Sequence, residues 1–485
     1  MTCVASLARA VMLACTLASP ALGDSPDDEL TFRVSRFCSA CHAQPRPESF
    51  RVSDWHDRIR LAYEYHARSG RTDLVAPPIA EVTRWYVARA PLTLPPRALP
   101  TAADSAPVQF DVVPVAGPAD GRAPGTADIR WIARPDTPRL VVADMLRGEV
   151  VALDPRAQSP APVLLAALPH PCRVRAAGDG LVVADLGSVD AFDHALGRAL
   201  RLEPGAAGAP WSQSVIADGL GRVADVLPWG DAGDAAIVAE FGFHRTGSLV
   251  AAKAPGDRAA GPRRIDLRAG AVELAALDAD RDGRRDVLAL FGQEHESLEA
   301  FLDRGDGRFE RRTLWRGADL ALGSSSLSLA DVDGDGDDDI LLTHGDAFDN
   351  RLVTPWHGVQ WLELGPGLAV TPHWLLDLPG AYRARGADID GDGDTDIVVA
   401  TWLPADTDAG TLPPGVLPSL VLLEARGAGR FAAHVLERDR HAHPALEVGD
   451  FDGDGDADLA VGTHGAGLGA DGTRLTLWWN RGAGR

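Results

Sequence analysis

The chain has 485 residues, with 69 acidic against 47 basic side chains and a formal charge of −22. That balance excludes a nucleic-acid partner, whose binding surfaces are basic. The length allows two or three domains with a large core, and five cysteines do not make a disulfide scaffold.

Residues 1–23 read as a secretory signal: Arg9, a short apolar run, then small residues ending Ala21-Leu22-Gly23. The run is too short to span a bilayer, and no later stretch is a membrane span. Cleavage near Gly23 leaves Cys38, Cys41 and Cys172, in a protein expected to be periplasmic or secreted.

Residues 24–92 carry helical patterns, one over Asp54–Tyr63 and another over Ile79–Ala88. Within them Cys38-Ser39-Ala40-Cys41-His42 has the spacing of one covalent haem c, with Cys38 and Cys41 as thioethers and His42 as an axial ligand. A thioredoxin-type pair would need a βαβ pattern, and zinc would need two further ligands with paired spacing. The segment resembles a small class I cytochrome c domain but has no methionine between residues 24 and 100. The sixth ligand is expected to be His66, whose distance along the chain from His42 gives it reach. His56, Met145 and an open site are the alternatives. Residues 93–106, with prolines 95, 96 and 100, form a stiff linker.

From residue 107 the character changes to short β runs. One phrase recurs seven times, from Leu140, Leu181, Ala236, Val287, Ile340, Ile397 and Leu459. Self-similarity at this period, in strand-rich units with polar turns, predicts propeller blades of four strands. The last unit lacks an outer strand, and the run 109–115 supplies it, closing the ring and removing both sheet edges.

Four units place a nine-residue acidic loop just before that phrase. Their carboxylates are Asp278, Asp280, Asp282 and Asp286; Asp331, Asp333, Asp335 and Asp339; Asp388, Asp390, Asp392 and Asp396; and Asp450, Asp452, Asp454 and Asp458. Acids at positions 1, 3, 5 and 9 with glycine at position 6 follow the logic of a Ca²⁺ loop built from hard oxygen ligands. About four Ca²⁺ ions are therefore expected, in blades 4 to 7.

These loops and the seven-fold repetition resemble the FG-GAP or VCBS repeats of integrin-α-type propellers, over about residues 107–485. The resemblance implies calcium between the first and second strands of a blade. It also implies an opposite face built from the loops after the second strand, with Phe241-Gly242-Phe243-His244, Gln293-Glu294-His295-Glu296, His344-Gly345-Asp346, Trp356-His357-Gly358, Trp402 and His464. The fold class expected is mainly β, a seven-bladed propeller preceded by a small all-α cytochrome c-like domain. Two functions follow as expectations: electron transfer to a redox partner protein that the propeller docks, or an oxidoreductase whose propeller face binds a small-molecule substrate. An adhesive module, in the manner of integrins, is a third, against which the covalent haem argues.

Overall fold

In a computed structural model the described residues run from 26 to 483. They omit 41–43, 70, 95–105, 118–119, 134–138, 158–159, 191, 206–209, 231–234, 244–245, 254–261, 294, 306, 349–350, 352, 408–414 and 428. The signal segment, Cys41, His42, His244, Glu294 and most of the linker thus lie outside the described residues.

The seven recurring phrases become the second strand of seven four-stranded antiparallel sheets. Arg139–Asp144, Gly180–Asp185, Ala235–Glu240, Asp286–Phe291, Asp339–His344, Asp396–Thr401 and Asp458–Gly462 are buried almost throughout. Each lies in a sheet covered on both faces by its neighbours. An alternating pattern would bury polar side chains there, so the runs are continuously apolar. Apolar clusters join adjacent blades around the ring, including one that joins Val115, Ala460 and Leu475 of blade 7 to Ile129 and Leu140 of blade 1.

Six blades use strands in chain order. The seventh takes Leu446–Gly449, Asp458–Gly462 and Thr473–Ala483 from the end of the chain and Val108–Ala116 from before the first blade. The register pairs Asp111 with Trp479 and Val113 with Leu477, and Arg481 Nε donates to Asp111 at 2.8 Å. The closure expected from residues 109–115 is present.

The second strands of blades 4 to 7 begin with an aspartate whose two oxygens accept backbone N–H groups. Asp286 takes Ala279 at 3.0 Å and Asp303 at 2.7 Å; Asp396 takes Ile389 at 3.0 Å and Ala425 at 2.7 Å. Blades 1 to 3 put a buried acid at the other end of the same strand. There Asp144, Asp185 and Glu240 accept from Gly125, His170 and Gly221 at 2.8, 2.9 and 2.7 Å. Each acid staples its second strand to a flanking connection, on one propeller face or the other.

Three short helices precede the ring: α1 (Pro26–Cys38), α2 (Trp55–Ser69) and α3 (Ile79–Val87). The all-α domain expected over residues 24–92 is represented by these alone, and none is long enough to persist without packing. Trp55 stacks on Tyr86 with centroids 4.0 Å apart, and Trp85 Nε1 donates to Thr31 Oγ1 at 2.9 Å, holding α3 against α1. Ala321 and Trp356 of the propeller join the same apolar cluster as Val34, Phe50 and Trp55, and Ser49 Oγ donates to the Asp319 carboxylate. The helices are therefore seated on blade 5, beside connections that lie opposite the acidic loops. No helix among the described residues is long and apolar enough to cross a membrane.

If the closing strand protects the last blade, a chain beginning at Gly117 should self-associate and melt lower than one beginning at Ser105, since both lack the helices and only the first lacks the strand. Equal sedimentation and melting of the two would refute this role.

Candidate metal sites and the helical docking face

The four acidic loops connect the first and second strands of blades 4 to 7. Each folds on its own aspartates. Asp331 accepts Gly334 at 2.8 Å and Gly336 at 3.0 Å, and Asp335 accepts Asp337 at 2.9 Å. Gly336, at position 6, has φ of 91°, a left-handed conformation that side chains other than glycine adopt at a cost. These turns gather the carboxylates. Asp278 with Asp280 and Asp282, Asp331 with Asp333 and Asp335, Asp388 with Asp390 and Asp396, and Asp450 with Asp452 and Asp458 each bring ligand oxygens within 4.8 Å of one another. Such triplets of hard oxygen donors can bind calcium. Burial, reinforced by the neighbouring carboxylates, pushes Asp396 and Asp458 up to about 6, a like-charge penalty that a divalent cation removes.

The blade 4 loop differs from the other three. At its fourth position stands Arg281, with φ of 60°, where they have glycine. Arg304 Nη1, from the loop between the third and fourth strands, donates to Asp280 at 2.6 Å and to Asp282 at 3.4 Å. Arg284 also engages Asp282. Guanidinium groups thus already occupy two of the carboxylates that calcium would need.

On the opposite face, the histidines and aromatics singled out in the sequence are mostly packed. His344 lies between Trp315 and Trp374, at centroid distances of 5.5 and 5.7 Å, with Nδ1 on Ser324 Oγ at 3.1 Å. Burial pushes its pKa down to about 4. His357 and Trp402 are buried, as is His464, whose ring meets Trp402 edge-on at 5.7 Å. Phe241 and Phe243 flank the Arg222 guanidinium, and His295 lies against Phe291.

Of the acids beneath the helices, the sequence singles out Glu296 among the residues of this face and misses Asp319. Glu296 is buried and accepts Ser324 N–H at 3.1 Å. Burial pushes it up to about 8, against the hydrogen bonds from Ser324 and with help from Asp346 and Asp319. Asp319 is raised as well, first by burial and despite its bond from Ser49. Isolated acids in loops carry no spacing signal.

Of the expected haem residues, Cys38 ends α1 and His66 lies in the last turn of α2. The Phe37 and His66 rings are 5.2 Å apart, and His66 Nε2 contacts Leu74 O at 3.1 Å. The Cys38 thiol is half-buried beside the Tyr86 hydroxyl, its pKa raised by that burial.

Comparison with known proteins bears on the propeller alone. The model for the FG-GAP-like repeat matches residues 278–342 and 388–461, the two stretches that each hold two acidic loops. The chain contains FG-GAP-like repeats. No curated protein matches the chain. Among solved structures, virginiamycin B lyase from Staphylococcus aureus is similar with a TM-score of 0.47 and 8% identity over 76% of this chain and 99% of that one. YCF48 from Cyanidioschyzon merolae gives 0.44 and 12%, over 76% and 98%. A putative 6-phosphogluconolactonase from Bacteroides fragilis gives 0.43 and 14%, over 62% and 82%.

Two predictions follow from this geometry. An ion held at a hundred times its Kd stabilises the fold by about 2.7 kcal/mol, so chelation should lower the melting temperature by several degrees. Asp333→Ala and Asp390→Ala should each reproduce part of that loss, whereas Asp280→Ala in the arginine-occupied FG-GAP loop should change it little. Melting that ignores chelator, or Asp280→Ala as costly as Asp333→Ala, would contradict the ranking.

The second concerns pH. Because Glu296 binds its proton more tightly folded than unfolded, its contribution is complete below the unfolded carboxyl range and is lost as pH rises towards 8. Melting measured from pH 5 to 9 should show this decline in wild type and a flatter profile in Glu296→Gln. Identical profiles would remove Glu296 as its source.

Proposed function

We infer that the chain is an exported monohaem c-type protein that transfers electrons, with a calcium-stabilised propeller that docks its redox partner. Cys38, Cys41 and His42 would hold the haem and His66 would supply the sixth ligand. Asp331, Asp333, Asp335, Asp339, Asp388, Asp390, Asp392, Asp396, Asp450, Asp452, Asp454 and Asp458 would hold calcium ions, whereas Asp278, Asp280, Asp282 and Asp286 would hold a fourth only on displacing Arg304 and Arg284. The observation that carries the reading is the Cys38-Ser39-Ala40-Cys41-His42 order, which begins at the last residue of α1, with α3 bound across α1.

Of the four donors, Cys38 and His66 lie among the described residues, and their surroundings support the reading. The Cys38 thiol is half-buried among aromatic rings, a setting suited to a thioether on an apolar macrocycle. Tyr86 contacts that thiol and also donates to Pro45 O at 3.2 Å, bracketing the motif. Arg71 donates to Ala40 O at 3.2 Å, tying the chain after α2 to it. His66, as a ligand, would give up its contact with Leu74 O. Bound haem supplies one-electron oxidation and reduction. The protein's own contribution is to hold the helices against blade 5 through Ser49, Asp319, Ala321 and Trp356, so that the cofactor keeps a fixed orientation to the propeller. FG-GAP repeats are typical of extracellular proteins, which agrees with export.

The same docking supports the second reading, an oxidoreductase whose propeller face binds a substrate. The packed histidines there offer little to such a site.

An absorption spectrum of protein matured in a periplasm is the test. Covalent haem that survives denaturation, low-spin and without a sulfur–iron band, is expected, turning high-spin in His66→Ala. Absence of covalent haem overturns the reading, and a high-spin wild type removes His66. Reduction of the purified protein by a small metabolite without a partner would favour the enzyme.

A further inference from the structure

The axis of the propeller is lined by charge. Alternate residues of each innermost strand face the channel, and the strand registers set them in two levels. The deeper level holds Asp128, Arg173, Asp225, Glu273 and Arg383, each pairing with the corresponding residue of its second strand. Two residues further along lie Arg130, Arg175 and Arg385, level with Glu447.

The deeper level is closely paired. Arg383 Nη1 meets Glu273 at 2.7 Å, and Arg173 Nη1 meets Asp128 and Glu273 at 3.3 Å each. The outer level is not. Arg175 belongs to Asp225, at 2.5 Å. Arg130 lies 3.4 Å from Asp128, which Arg173 also uses, and Glu447 is shared between Arg130 at 3.6 Å and Arg385 at 3.8 Å, both too long for a hydrogen bond. Among the described residues the axis thus carries five arginines against four carboxylates. The Nε atoms of Arg130 and Arg173 are buried without a hydrogen-bond partner.

Burial, together with Arg130 and Arg383, pushes Arg385 down to about 9. A guanidinium nevertheless remains protonated in proteins, so the excess charge calls for an anion. Side-chain exposure rises from 1% at Glu273 and 2% at Arg383 to 12% at Arg385 and 20% at Arg130. The channel therefore opens towards the acidic-loop face, where an ion can enter. Ser328 Oγ and Arg385 Nη1 both donate to Ala384 O, at 3.0 and 2.9 Å, which sets a hydroxyl beside the under-neutralised guanidinium.

We propose that the axial channel binds one small monovalent anion, of chloride size, between Arg130 and Arg385, with Ser328 Oγ turning its proton from Ala384 O to the ion. One negative charge balances five arginines against four carboxylates. The small side chains of Ser328 and Ala275 on the neighbouring strands suit a compact ion, and the site is independent of the aspartate loops and of the haem.

Bromide is the probe. Crystals of the calcium-loaded full chain grown in sodium bromide should give one anomalous peak in the channel beside Arg385. In solution at constant ionic strength, with calcium supplied as gluconate, replacing sodium gluconate by chloride or bromide should raise the melting temperature. Arg385→Gln, which removes the excess charge, and Ser328→Asp, which supplies it a built-in partner, should both lose that anion dependence, and both should melt at or above wild type in gluconate. No channel peak, equal melting in gluconate and halide, or a full halide response in both variants would overturn the proposal.

Discussion

Everything in the propeller rests on one pairing, between Val108–Ala116 and Thr473–Ala483. The blades are separate sheets packed face to face, so the ring is pinned shut only where its last sheet takes a strand from the other end of the chain. Here the outer strand of blade 7 comes from the start of the propeller sequence and its three inner strands from the end. Arg481 and Asp111 join across the seam, and the cluster around Ile129 and Leu140 then presses blade 1 against blade 7. The helices, the acidic loops and the channel are held in place by a ring that this contact shuts.

Within the closed ring the blades use one strand in two ways. Blades 1 to 3 fix the far end of the second strand with Asp144, Asp185 or Glu240. Blades 4 to 7 fix its near end with Asp286, Asp339, Asp396 or Asp458. Among the described residues, only the latter belong to loops that gather three carboxylates able to hold a metal ion. The same local need, an acceptor for backbone N–H groups at a blade corner, is thus met everywhere, and a cluster that could bind a metal is added where more aspartates crowd the turn.

Much of this was legible in the sequence because it depends on neighbours in the chain. Continuous apolar phrases mark strands covered on both faces, and aspartates two residues apart mark a turn folded around its own side chains. The closing strand showed because the final unit was short by one. What could not be read depends on residues that meet only in space. Arg304 reaches Asp280 from another loop, Ser49 reaches Asp319 from another segment, and Asp128, Arg173, Glu273 and Arg383 converge from four blades. The histidines of the second-strand loops look available in the sequence. Among the described ones, His344 is instead stacked between two tryptophans, and His357 and His464 are buried.

The seam also imposes an order in time. Asp111 and Arg481 are 370 positions apart, so during synthesis the first strand of the ring emerges long before its partner exists. Until the last residues arrive, the unfinished sheet and the first strand both expose unpaired backbone. The helical segment, by contrast, is out of the ribosome first and needs none of the late residues for its own core. A chain stopped before Thr473 would keep six intact blades and yet remain an open molecule, exposed to proteases and to its own copies. Loss of the strand Thr473–Ala483 should therefore cost far more than its length suggests.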